Sequence, residues 1–293
     1  MHVFITGGTG LIGSAVVAEL LANGHTVLGL ARTDSAAEAL AAAGAESIRG
    51  DLSDLATLRA AAAKSDGVIH LAFRHDFSTQ DAVAAAVAEE SAALAALGAE
   101  LTGTDRPLVT VSGTPVTPGR PSTEADPFST EGPVGGRGRS VMAVLDLAAH
   151  GVRSSAVRLP RTVHNEGRGG FAGILTESAR RTGVAGYPGE GTQRWPAVHA
   201  LDAAVLFRLA LERAPAGTVW HAVADEGDAV RDMAAVIGRR LDLPVQPVPS
   251  DTFGPLGEIF ALDQPSSSAH TRAELGWQPA HPGLLADLEN IQP

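Results

Sequence analysis

Three glycines, Gly7, Gly10 and Gly13, stand where the apolar run Val3-Phe4-Ile5-Thr6 gives way to an apolar-periodic segment. That spacing describes a strand, a tight turn and the opening of a helix. A backbone without Cβ atoms can approach a charged ligand closely, and the free N–H groups of a helix N-terminus hold negative charge. The ligand this suits is a pyrophosphate, lined by Gly7, Gly8, Thr9, Gly10, Leu11, Ile12 and Gly13. Glycine turns also arise for geometric reasons alone. Here residues 11–22 read as a helix stopped by Asn23-Gly24, and His25-Thr26-Val27-Leu28-Gly29-Leu30-Ala31 reads as a second buried strand. The turn therefore sits in a strand–helix–strand unit of dinucleotide-binding length.

Arg32 follows that second strand, nineteen residues past Gly13. An Asp or Glu there would bind the ribose 2′-hydroxyl of NAD, whereas an Arg suits the 2′-phosphate of NADP through charge-assisted, bidentate hydrogen bonds. NADP is the expected cofactor and NAD the alternative, since Asp34 close by would repel a phosphate. Arg32 also has a plainer reading, as a solvated residue after a strand.

Two histidines lie in loops after strands: His75 in Phe73-Arg74-His75-Asp76-Phe77 and His164 in Thr162-Val163-His164-Asn165-Glu166. An imidazole titrating near neutrality can protonate a developing alkoxide or remove a proton. The plain alternative for each is a hydrogen-bonded loop histidine. No metal site is expected, because adjacent His75 and Asp76 cannot easily converge on one ion. Val111-Ser112-Gly113 lacks the flanking glycine of a hydrolase nucleophile elbow. Arg137 and Arg139, in the glycine-rich stretch 132–138, read equally as a solvated pair and as holders of an anion.

The 293 residues allow a large core, and 44% hydrophobic with 19% charged residues is ordinary for a globular protein. A net charge of −11 opposes association with nucleic acid or an anionic membrane surface. No apolar run of membrane-spanning length stands out and the chain opens on a core strand, so a cytoplasmic location is expected. The absence of cysteine excludes disulfides, thiolate catalysis and Cys-ligated metals. Lys64 is the only lysine and Tyr187 the only tyrosine.

Strand patterns at 3–6, 26–31, 46–49, 67–71, 108–112 and 154–159 alternate with helical ones, including an alanine-rich stretch over 81–101. Such alternation predicts an α/β fold, a Rossmann-type doubly wound parallel sheet with ligand chemistry at the carboxyl ends of its strands. Residues 114–138 read as a long loop. Helices are predicted at 140–150, 169–182, 201–213 and 229–241, with strands at 195–199 and 218–222; the tail from 251 is loop-rich with short helices. The division expected is a NAD(P)-binding domain over 1–165, to which 195–223 returns, and a smaller C-terminal substrate lobe over 166–293. The small residues of the 81–101 and 140–150 helices permit close helix approach, which is compatible with a homodimer.

These features together resemble the short-chain dehydrogenase/reductase superfamily, and above all its extended and atypical, epimerase/dehydratase-like branch. The resemblance spans almost the whole chain. It rests on the Thr-Gly-Gly-Thr-Gly-x-Ile-Gly turn at 6–13, Gly50-Asp51-Leu52, His70-Leu71-Ala72, Val109-Thr110-Val111-Ser112, Arg158-Leu159-Pro160 and Trp195-Pro196-Ala197-Val198-His199-Ala200-Leu201-Asp202. It implies that Asp51 and Leu52 line the adenine, that Leu71, Ala72 and Phe73 contact the cofactor, and that Pro160 and Val163 lie at the nicotinamide. His70 and His199 match positions that are normally structural, and Thr123-Glu124 resembles a loop motif that shapes the substrate pocket.

One departure is decisive. Relatives of this kind use a tyrosine as general acid/base and a lysine four residues later that lowers its pKa. The matching segment here, Arg137-Gly138-Arg139-Ser140-Val141, puts Arg137 in the tyrosine place and Val141 in the lysine place. Tyr187 and Lys64 lie far away in the wrong order, so no shift of alignment rebuilds the pair. The serine place falls at Gly113, leaving Ser112 and Thr114 to orient a substrate oxygen and His75 or His164 to move the proton. The expected function is an NADP(H)-dependent oxidoreductase acting on a carbonyl or hydroxyl of a small organic substrate. The alternatives are an epimerase, isomerase or dehydratase that uses the cofactor transiently, and a non-catalytic NADP-binding regulator.

Overall fold

The computed structural model describes residues 1–76, 78–131 and 135–292. The glycine-rich stretch 132–138 is therefore described from Gly135 onward, and Phe77, part of the sequence context of His75, lies outside the described residues.

The first part of the chain runs β1 (His2–Thr6), α1 (Leu11–Ala22), β2 (Thr26–Ala31), α2 (Asp34–Ala42), β3 (Glu46–Arg49), α3 (Leu55–Ala63), β4 (Gly67–His70), α4 (Gln80–Leu101), β5 (Pro107–Gly113), α5 (Gly135–Asp146) and β6 (Arg153–Leu159). There follow β7 (Thr162–His164), α6 (Gly170–Thr182), β8 (Ala185–Pro188), β9 (Arg194–His199), α7 (Ala200–Arg213) and β10 (Thr218–His221). The last part holds β11 (Asp225–Ala229), α8 (Val230–Leu241), β12 (Val245–Val248), α9 (Gly257–Phe260), α10 (Ala269–Leu275) and α11 (Leu284–Leu288).

Two compact units share these elements. The first comprises Met1–Ser112, Pro127–Arg158 and Ala204–Trp220, the second Gly113–Asp126, Leu159–Ala203 and His221–Pro293. The first unit carries a seven-stranded parallel sheet in the order β10-β6-β5-β4-β1-β2-β3. Chain progression runs outward from β1 through β2 to β3, then jumps to β4 on the other side of β1. The strand order thus reverses between β1 and β4, and a crevice at that reversal is where open α/β sheets bind ligands. β1 is buried throughout its apolar length, Val3, Phe4 and Ile5 having no exposed surface. Each such side chain contributes about 1.5–3 kcal/mol of burial.

The second unit holds a three-stranded sheet, β11-β9-β7, and a parallel pair, β8 and β12. Its core gathers Trp195, Phe260, Met233, Ile237 and Leu288. Four of its strands, β7, β8, β11 and β12, have no counterpart in the sequence reading. Each is five residues or fewer; β8 and β12 contain proline, and β11 (Asp-Glu-Gly-Asp-Ala) has no strand-forming residue at all. Pairing with neighbours overrides local preference here. Likewise α5 starts inside the stretch read as loop, because glycines at Gly135, Gly136 and Gly138 hide a helix from propensity.

The expectation that no apolar segment reaches membrane-spanning length needs correction at α4, which is long and apolar enough by length and composition. Alanine supplies that apolarity. The helix buries Ala93, Leu94, Leu97 and Leu101 in the core of the first unit. It also buries Glu90, whose carboxylate takes a two-point bond from Arg137 of α5, Nε to Oε2 at 2.9 Å and Nη2 to Oε1 at 2.8 Å. The guanidinium then lies 4.0 Å over the ring of Phe73. Removing one partner of a buried pair strands the other charge. Glu90→Ala is expected to cost about 3 kcal/mol in urea unfolding, while the double change Glu90→Leu with Arg137→Met restores most of it. Equal loss in the single and double variants would show that the pair is not what holds α4 to α5.

Candidate cofactor and catalytic site

In the first unit the glycine turn closes by necessity. Gly7 adopts φ +75°, and a Cβ there would lie 2.8 Å from the backbone N of Ala72. A Cβ on Gly13 would run into the carbonyl oxygen of Gly7, to which Gly10 donates its N–H at 3.2 Å. The first helical bond of α1 runs from Ser14 N to Gly10 O at 2.8 Å, and Gly10 caps the helix without a side chain. The N–H groups of Leu11, Ile12 and Gly13 accordingly take no acceptor among the described residues and suit an anion. Thr9, Gly10 and Leu11 are exposed.

Beneath the turn, Thr6 ties β1 to β4. Its carbonyl accepts from Leu71 N at 3.2 Å, and its hydroxyl oxygen accepts from Ala72 N at 3.2 Å and pairs with His70 Nδ1 at 3.0 Å. His70 is fully buried; burial, aided by the charge of Arg137, pushes its pKa down to about 3, so the ring is neutral. Leu71, Ala72 and Phe73 emerge half-buried from this junction, and exposed His75 sets its ring edge-on to Phe73 at 5.4 Å.

At the neighbouring strand ends, Ala31 of β2 is in register with Arg49 of β3. Arg32 follows Ala31 and is exposed. Asp34 lies 3.5 Å from Arg49 Nη1, both side chains being exposed. Asp51 accepts from the hydroxyl (2.6 Å) and N–H (2.8 Å) of Ser53, which hold it below the ordinary carboxylate range, with the charge of Arg32 adding to the effect. Leu52 beside it is buried.

The second unit carries a polar cluster. His164 Nδ1 meets Asp287 Oδ2 at 2.9 Å, both groups being buried. Burial works to raise the Asp287 carboxyl, but the N–H of Gly167 and His164 outweigh it and hold it low. The His164 ring stands edge-on to His199 at 5.4 Å, and His199 stacks on His281 at 4.8 Å. His281 Nδ1 pairs with Asp202 Oδ1 at 2.7 Å, and Asp202 also accepts the N–H groups of Ala280 and His281. Leu201 N donates to His199 Nδ1, so the proton of that ring is on Nε2. Burial, with His164 and His281 adding, lowers the His199 pKa. His164 Nε2 is buried without a partner among the described residues. No group of three or more His, Asp or Glu there converges as metal ligands do.

The remaining candidates are dispersed. Ser112 is half-buried near the end of β5. Thr114 is buried, its N–H given to Leu159 O at 2.9 Å and its carbonyl taken by Gln264 Nε2 at 2.5 Å. Pro160 and Val163 are buried. Glu124 accepts both the N–H and hydroxyl of Thr271, which gives it a partner inside the unit. Arg137 is committed to Glu90, and Arg139 donates to Thr130 O at 2.5 Å. Tyr187 lies in β8 against the core of the second unit. Lys64 ends α3, two residues before Asp66, whose N–H bonds His2 O at the start of β1, the far end of the sheet from the glycine turn.

The family model described as the NAD dependent epimerase/dehydratase family matches residues 3–222. The chain belongs to that family. Within it, an uncharacterized protein of Schizosaccharomyces pombe is 42% identical over 292 residues, and one of Saccharomyces cerevisiae is 41% identical over 295 residues; each match covers 98% of both chains. The UDP-glucose 4-epimerase of Thermotoga maritima, solved with UDP-glucose, superposes with a TM-score of 0.79 at 20% identity over 99% of this chain and 97% of that one. At that identity the likeness concerns the fold.

Sequence reasoning about this member of the family missed Arg49, Glu90 and Asp287. Arg49 was findable, since parallel register with β2 puts it level with Ala31. A lone acid in an alanine helix flags Glu90 weakly. Asp287 gave no signal, because its partner His164 stands 123 residues away.

His70 supplies a pH test. Its unfolded pKa of 6.5 exceeds the folded value of about 3, so the unfolded chain binds the extra proton in between. The stability it contributes is full above pH 6.5 and is lost as pH falls toward 3, by up to about 1.4 kcal/mol per pH unit. Urea unfolding at pH 7 and pH 5 should show a smaller loss in His70→Gln than in the parent; identical losses would mean that the folded protein protonates this ring.

Proposed function

We propose that this member of the family is an NADP(H)-dependent oxidoreductase acting on a carbonyl or hydroxyl group of a small organic substrate. The observation that carries the cofactor choice is the pair of guanidiniums, Arg32 and Arg49, at adjacent strand ends, with Asp34 held against Arg49. Two arginines there suit a 2′-phosphate, and NAD offers them none. The free N–H groups of Leu11, Ile12 and Gly13 hold the pyrophosphate, while Gly7, Gly8, Thr9 and Gly10 keep the backbone close. Asp51 and Leu52 flank the adenine. Leu71, Ala72 and Phe73 continue the site at β4, and Pro160 and Val163 retain the nicotinamide role that the resemblance implies. The cofactor, when bound, supplies the hydride chemistry.

Ser112 is the better placed of the two hydroxyl candidates, since Thr114 is buried and engaged with Gln264. For the proton, His75 is exposed at the same strand ends as the glycine turn and is the proposed donor. His164 stays a second candidate because Asp287 orients its Nδ1 and leaves Nε2 without a partner, the arrangement of an oriented base. The second unit is the proposed substrate lobe. A groove of about 440 Å³ between α4 and α5, lined by small apolar residues such as Ala84, Ala88 and Ala143 and by the polar Ser91, Arg139 and Ser140, is the proposed contact with a second copy of the chain, and sedimentation velocity reads that directly.

Titration with NADP+ and NAD+ tests the cofactor assignment. Arg32→Ala should weaken NADP+ at least about tenfold and leave NAD+ within about twofold; equal losses would remove the phosphate role. A panel of carbonyls, alcohols and UDP-glucose, followed by nicotinamide absorbance and product analysis, tests the reaction. Product without net change in nicotinamide favours the isomerase, and tight binding without product favours the regulator. His75→Ala should lower turnover by about 100-fold, and full activity in both His75→Ala and His164→Ala would overturn the proton assignment.

A further inference from the structure

Among the described residues, Arg161 is a cation without a counter-ion. It follows β6 in the second unit and lies mostly buried, its guanidinium carbon 5.0 Å from the ring centre of Phe171 and 5.9 Å from that of Trp195. Its Nε is buried with no hydrogen-bond partner, and among the described residues no carboxylate lies within ion-pair distance. Arg137, half-buried over Phe73, has by contrast Glu90 bonded at two points. Burying an unpaired guanidinium costs folding free energy. Here burial alone pulls the pKa of Arg161 down to about 10, with no acid acting in the other direction.

The backbone adds positive potential at the same place. Phe171 is the second residue of α6, and its N–H bonds to the carbonyl of Arg161 itself at 3.3 Å. The first turn of α6 contains no acid to offset the helix dipole, although its N–H groups are largely engaged, Ala172 N with the Thr162 hydroxyl at 3.3 Å and Gly173 N with Gly169 O at 2.9 Å. Gly170, at φ +56°, lets this turn settle on the chain, since a Cβ there would lie 2.5 Å from Thr162 Cα and 3.0 Å from Arg161 O. A guanidinium and the acid-free start of α6 therefore lie together beside the ring of Phe171, with no anion among the described residues.

We propose that Arg161 binds a carboxylate group of the substrate, with the partly buried ring of Phe171 supplying the apolar surface beside it. A planar fork of donors matches a carboxylate, and an aromatic ring suits the flat carbon skeleton next to it. This deepens the oxidoreductase reading by naming the substrate as an organic acid that also bears the reacting carbonyl or hydroxyl. The instability that Arg161 imposes on the empty protein is then the counterpart of its affinity for the ligand.

Benzoate serves as the probe and benzamide as its neutral counterpart. Each is added to the full-length protein with and without saturating NADP+, with melting temperature and tryptophan fluorescence as readouts. Benzoate should raise the melting temperature and quench fluorescence; benzamide should do neither. Arg161→Met should weaken benzoate at least about tenfold and leave the melting temperature of the ligand-free protein unchanged or higher. Arg161→Gln, with a neutral polar side chain, should lose benzoate in the same way. Benzoate binding that survives either substitution would overturn the proposal, as would an Arg161-dependent response to inorganic phosphate with none to benzoate. An unresponsive parent protein would overturn it too. Because these readouts need no turnover, an Arg161-dependent benzoate site in a protein that reduces no carbonyl would sink the reductase reading and leave the anion site standing.

Discussion

The approach of Gly7 to Ala72 is the constraint on which the first unit depends. With 2.8 Å between a would-be Cβ and a backbone nitrogen, no side chain fits, and the ends of β1 and β4 can close on each other. Thr6 fastens that closure through its carbonyl and its hydroxyl. Three consequences follow from one contact. The N–H groups of Leu11, Ile12 and Gly13 are left without an acceptor among the described residues, His70 is sealed in a neutral state, and the glycine turn stands at the reversal of strand order.

The parallel sheet was legible because each of its strands is either a continuous apolar run or a register neighbour of one. Residues 26–31 and 46–49 match the structure at both ends, and helix 11–22 starts and stops at its glycines. The short strands of the second unit were not legible, since Asp-Glu-Gly-Asp-Ala becomes a strand only by pairing with β9. The same division runs through the candidate site. A glycine turn is local chemistry and can be read from neighbours in sequence. The bond between His164 and Asp287 is a product of folding, and so is the lack of any counter-ion at Arg161.

Arginine is the chief cation of this chain, and the structure uses it in two ways. Arg137 is satisfied by Glu90 and works as a rivet between α4 and α5. Among the described residues, Arg32 and Arg161 stand without such a partner. A guanidinium cannot shed its charge at physiological pH, so the folded chain must carry the cost of each unpaired one wherever water is excluded.

The two units are interleaved along the chain, and this bears on how the protein is made. The first unit waits for β10, at Thr218–His221, before its sheet has its last edge strand. The second unit waits longer still, because the carboxylate that satisfies His164 arrives 123 residues after it. During synthesis, chain emerging at roughly 5–20 residues per second leaves that imidazole exposed for several seconds or more. The glycine turn can therefore close as soon as β4 and Ala72 have emerged, long before Asp287 completes the second unit.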